Sequence, residues 1–77
     1  MIECYVFGNE NYYTRLELPA VPDIGHTFCL QVDKTPIYFK VGAVYWVLNV
    51  NEKEKHTYSH VELHCSTALN QTELSYL

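Results

Sequence analysis

The fourteen residues from Ile37 to Val50 read IYFKVGAVYWVLNV. β-Branched and aromatic side chains dominate both sides of this run. Such residues lose rotamer freedom in a helix and pack well on a pleated surface. The segment reads as a strand, well beyond the common length of about five or six residues. Gly42 lies near its middle and marks a bulge or sharp bend, which would let one long strand serve two sheet layers.

Period-two alternation runs through most of the remaining chain. Ile2, Cys4 and Val6 alternate with Glu3, Tyr5 and Phe7, so Ile2–Phe7 is a strand. Gly8-Asn9-Glu10-Asn11 supplies turn residues. Tyr12, Thr14, Leu16 and Leu18 then alternate with Tyr13, Arg15 and Glu17, and the two runs should form an antiparallel hairpin. Pro19 and Pro22 make Leu18–Gly25 a rigid extended connection, with Pro22-Asp23-Ile24-Gly25 as a turn closed by its glycine. His26–Val32 is a strand with Phe28, Leu30 and Val32 inward, and Asp33–Pro36 is a tight turn. Asn51–His56 is a charged loop of alternating sign. Thr57–Cys65 is the last strand, with Val61, Leu63 and Cys65 on one side and Tyr58, His60, Glu62 and His64 on the other. The tail offers Ala68, Leu69, Glu73 and Leu74 as a short helix capped by Ser66 or Thr67. A frayed end is the alternative.

Seventy-seven residues make a single domain, 1–77. A chain this short buries only about 60–65% of the surface its unfolded form exposes. Five strands with short turns are too few for a two-sheet sandwich. The expected fold is mainly β: a small five-stranded antiparallel barrel, SH3-like or OB-like, with a short C-terminal helix as an option. Closing the sheet would hide its edges. A twisted sheet carrying a C-terminal helix is the alternative.

Leu18–Trp46 reads L-P-A-V-P-D-I-G-H-T-F-C-L, then a turn, then Y-F-K-V-G-A-V-Y-W. This stretch resembles small single-domain β-barrel proteins of bacterial and phage genomes, which enter a strand through Pro-x-x-Gly and follow it with a short hairpin. The resemblance implies a phage or mobile-element source. By analogy, it implies a small acidic protein that binds and blocks a host protein. It carries over no site residue.

Charge and composition exclude several chemistries. The formal net charge is −4 and the pI about 5.4. Only Arg15, Lys34, Lys40, Lys53 and Lys55 are basic, which disfavours direct nucleic-acid binding, since that rests on neutralising phosphates. The longest apolar run, Val41–Leu48, is too short to span a bilayer. MIECYVFGNE lacks the basic and apolar regions of a signal peptide, so the expected location is cytoplasmic. Three cysteines without a C-x-x-C pair do not make a disulfide framework. Cys4 and Cys65 alternate in phase with apolar neighbours and should be buried, whereas Cys29 falls out of phase and should be exposed. His26 sits at the wrong spacing to activate Cys29. The three glycines are scattered, so no phosphate loop exists. Neither an enzyme nor a cofactor is expected.

Tyr58-x-His60-x-Glu62-x-His64 is the sharpest local feature. On a strand these side chains share one face at about 6.6–7 Å per step. A His-x-Glu pair can reach one zinc ion. A solvent-facing polar row on an amphipathic strand is the simpler reading, and no metal is expected.

The surplus aromatics remain. They cannot all be interior, and exposed Tyr and Trp are enriched at interface hot spots. Tyr13, Tyr38 and Trp46, with Glu17, Glu52 and Glu54, are the candidate partner-binding residues. The expected function is a non-enzymatic protein-binding module. Its acidic surface would mimic nucleic acid and inhibit a host nucleic-acid-handling or defence complex. The alternative is an assembly protein that pairs with itself as a homodimer or joins a phage particle.

Overall fold

The computed structural model describes residues 1–50, 53 and 56–76. Five strands precede one short helix: β1 (Ile2–Gly8), β2 (Asn11–Leu18), β3 (Thr27–Val32), β4 (Thr35–Val50), β5 (His56–Ala68) and α1 (Gln71–Leu74). The strands form one sheet in the order β2-β1-β5-β4-β3, curled into a half-barrel. The mainly β, five-stranded reading and the short terminal helix both hold.

The antiparallel expectation needs one correction. β1 and β5 lie side by side and run parallel, with Cys4 beside Val61 and Gly8 beside Cys65. The sheet is therefore mixed: an antiparallel hairpin, β1–β2, and an antiparallel meander, β3–β4–β5, meet along β1 and β5. Alternation could not show this, because side chains alternate with period two whatever the direction of the neighbouring strand. β2 and β3 form the two edges of the curl.

The inner face carries the core. Cys4, Val6, Phe39, Val41, Val61 and Leu63 are essentially inaccessible, and Cys65 joins them. Ile2, Leu16, Leu18, Phe28, Leu30, Ile37 and Val44 ring this cluster, and Val21 packs onto it from the β2–β3 connection. That connection is tied to β4 by the Gly25 N–H donating to the Val41 carbonyl (2.8 Å). Its turn is Asp23–His26, one residue later than the sequence suggested. The His26 N–H bonds the Asp23 carbonyl (3.0 Å), and Gly25 takes φ +90° at the third position, as a type II turn requires.

Three register shifts shape the sheet. In β2, Tyr13 is an extra residue between the pairs Phe7–Tyr12 and Val6–Thr14. In β4, Gly42 is the extra residue between Val41 and Ala43, as anticipated. In β5, Ser59 is extra between the partners of Val47 and Leu48. The long strand does not, however, serve two layers. It pairs β3 through Thr35–Lys40 and β5 through Tyr38–Val50 within one sheet.

Helix α1 is capped by Asn70, not by Ser66 or Thr67, which belong to β5. The Asn70 Oδ1 accepts from the Glu73 N–H (2.8 Å), and the Glu73 carboxylate accepts from the Leu69 N–H (3.0 Å). This reciprocal cap satisfies donors that the helix start would leave unpaired. Leu74 is buried where α1 meets β4 and β5.

Candidate functional site

The outer face of the four strands β2, β1, β5 and β4 presents one connected plate of rings and charges. Register brings it together. Phe7 neighbours His64 and Tyr5 neighbours Glu62 across the parallel pair, while Tyr45 opposes Glu62 across β4–β5. The rings of Phe7 and His64 stack at 4.7 Å and 3°. Those of Tyr5 and His60 stack at 4.4 Å and 15°. Tyr45 stands edge-on to His64 at 4.9 Å, and Tyr12 stands edge-on to Phe7 at 5.6 Å and to Tyr5 at 6.1 Å.

Glu62 is the centre of the plate. Its two carboxylate oxygens are shared between the imidazoles, with His64 Nε2 at 3.0 Å and His60 Nε2 at 3.3 Å. Ser59 Oγ lies 2.9 Å from His60 Nδ1 and continues the chain of polar contacts. The hydrogen bond from His64, and after it that from His60, pulls the Glu62 carboxyl below its ordinary pKa. Nearby, Arg15 pairs with Glu3 at 3.4 Å, and Glu3 faces Glu17 in register.

This arrangement can hold protons and present a rigid surface. The imidazoles turn toward the carboxylate they share. Among the described residues, no group of three or more His, Cys, Asp or Glu is placed to hold a metal ion. Cys4 and Cys65 lie on the opposite, inner face. Burial raises both thiol pKa values, that of Cys65 to about 11. Cys29 is exposed, as its phase implied. A hollow of about 500 Å³ is an open groove between α1 and the β3–β4 hairpin, lined by Cys29, Tyr38, Lys40, Gln71 and Leu74 among others.

Of the six residues singled out from the sequence, the four that are described are not gathered on one surface. Tyr13 turns to the inner side and meets Phe39 edge-on at 5.2 Å. Tyr38 lines the groove under α1. Trp46 opposes Val61 and so lies on the inner-face side of the far part of β4, more than half exposed. Glu17 is exposed at the end of β2, on the outer face. Glu52 and Glu54 lie outside the described residues, as does the side chain of Tyr58. Sequence reasoning did place His60, Glu62 and His64 on one strand face. It missed Tyr5, Phe7, Tyr12 and Tyr45 beside them, because that grouping depends on the parallel register of β1 against β5.

No family model matches the chain, and no solved structure matches it. No helix among the described residues is long and apolar enough to cross a membrane.

Proposed function

We propose that the chain is a non-enzymatic protein-binding module whose contact surface is the outer plate. The observation that carries this reading is the interlocking of Tyr12, Tyr5, Phe7, His60, Glu62, His64 and Tyr45 across four strands. The rings already hold one another in place, so a partner would meet a surface whose rotamer entropy is largely spent. An outward-facing plate suits a macromolecule better than a small substrate, which needs an enclosing pocket. Glu3, Glu17 and Glu62 outnumber Arg15 and Lys40 on this side of the sheet among the described residues. A partner with a basic, planar contact surface fits that charge, as a nucleic-acid-handling protein would.

The test compares tagged wild type with a Tyr12→Ala/Tyr45→Ala double variant, both residues being more than half exposed. The wild type should retain a specific partner that the double variant loses, with melting temperatures equal. Retention by both proteins, or no retained partner, would overturn the proposal.

A further inference from the structure

The centre of the outer plate can change its charge without changing its shape. Glu62 is held by two imidazoles at once, with His64 Nε2 at 3.0 Å and His60 Nε2 at 3.3 Å. Each ring can donate its Nε2–H to the carboxylate whether it is neutral or protonated. Ser59 Oγ lies 2.9 Å from His60 Nδ1. Its hydroxyl can donate to the neutral ring or accept from the charged one, so His60 keeps a partner on both nitrogens in either state.

The rings are seated for both states as well. His60 lies over Tyr5 at 4.4 Å and His64 over Phe7 at 4.7 Å, each pair nearly parallel. An imidazolium in that position is attracted by the aromatic face. The cluster is open to water: the side chains of His60, Glu62 and His64 are 18%, 30% and 38% exposed. Imidazole is the side chain that ordinarily changes charge between about pH 5 and 8. Glu62, whose carboxyl the two rings draw below its ordinary pKa, stays ionised across that interval.

Other charged and titratable groups face the cluster from each neighbouring element. β1 places Glu3 and Tyr5 on this side, and Glu3 pairs with Arg15 of β2. β2 adds Tyr12 and Glu17. β4 adds Tyr45, Lys40 beside Ser66, and Tyr38 beside Ala68. On α1, the Glu73 carboxylate is engaged with the Leu69 N–H. With neutral imidazoles, Glu3, Glu17 and Glu62 outnumber Arg15 and Lys40 among the described residues of the plate. Charging both imidazoles reverses that balance at its centre.

We infer that His60, Glu62 and His64 form a pH-sensitive charge switch, which rests on the outer plate being the contact surface. Near neutrality the plate holds a basic partner, and below about pH 6 two imidazolium charges repel it. The stacked rings stay in place, so the switch acts through charge and not through unfolding.

The test is binding to immobilised poly-L-lysine in low salt at pH 7.5 and pH 5.5, a probe whose own charge is constant over this interval. Wild type should bind at pH 7.5 and lose about tenfold or more in affinity at pH 5.5, while circular dichroism shows it still folded. His60→Gln/His64→Gln keeps a neutral N–H donor at both positions and should bind alike at the two pH values. Each single variant should fall between, which decides the matter if the double variant does not fold. His26→Gln, at the β2–β3 turn, should behave as wild type. Equal binding by wild type at both pH values, the same loss in wild type and the His60 and His64 variants, or unfolding at pH 5.5 would overturn the switch alone. Loss of a lysate partner by Tyr12→Ala/Tyr45→Ala would still uphold the contact surface in those cases. Absence of wild-type binding at pH 7.5 would overturn the basic-partner reading and the switch with it.

Discussion

At Gly8 the fold requires the absence of a side chain. A Cβ there would collide with Thr67 Cγ2 and approach Tyr13 within 2.8 Å and Phe39 within 3.1 Å. The obstacle is packing, because Gly8 is not among the residues with positive φ. Gly8→Ala should therefore lower stability by about 1–3 kcal/mol, read from urea unfolding. The thiols divide by burial. Cys29 should react quickly with a disulfide reagent at pH 8, while Cys4 and Cys65 should react only as the protein opens. Glu62 links protonation to stability. Its folded-state pKa is depressed, so its stabilising effect is present above the ordinary carboxylate pKa and is lost as pH falls through the folded value. Glu62→Gln should flatten the decline of the urea midpoint between about pH 5 and pH 3. His64→Ala should flatten it more than His60→Ala, since the His64 bond is the shorter and the larger cause.

Among the elements, the β1–β2 and β3–β4 turns carry avoidable strain. Each is a two-residue loop with both central residues at positive φ: Asn9 (50°) and Glu10 (71°), then Asp33 (51°) and Lys34 (69°). This is the mirror-image turn whose twist suits a hairpin, and glycine is its preferred second residue. Glu10→Gly and Lys34→Gly should each raise stability by roughly 0.5–1 kcal/mol in thermal melts, because the left-handed conformation burdens a side chain more than glycine. The turns were legible from Gly8-Asn9-Glu10-Asn11 and Asp33–Pro36. Which residues take positive φ was not, since it depends on where the ladders end. Pro36 is tolerated inside β4 because its nitrogen points away from β3, and the pairing with β5 begins only at Tyr38.

Across the whole molecule, stability depends on the seam between the first strand and the last. β1 and β5 are neighbours inside the sheet, and Cys4 meets Val61 across most of the chain's length. Neither the β1–β2 hairpin nor the β3–β4–β5 meander completes the core alone. Phe39 sits where they converge, stacked on Phe28 at 5.1 Å and touched edge-on by Tyr13. Phe39→Ala should cost about 3–5 kcal/mol, a large part of what a domain of this size possesses, and should shift a single cooperative transition rather than split it. Circular dichroism and near-ultraviolet signals should lose amplitude together in urea.

The chain's own pattern determined its strands. Alternation and β-branched content dictate where the backbone extends and which side chains share a face, and these are properties of neighbouring residues. They located the bulge at Gly42, the row His60, Glu62 and His64, and the different fates of the three cysteines. Only the tertiary structure decided that β1 runs parallel to β5 and that rings from four strands form one plate. A strand presents the same two faces and the same backbone groups to a parallel neighbour, an antiparallel one or none. Which neighbour it acquires is settled by packing between segments distant in sequence, where no local pattern reaches.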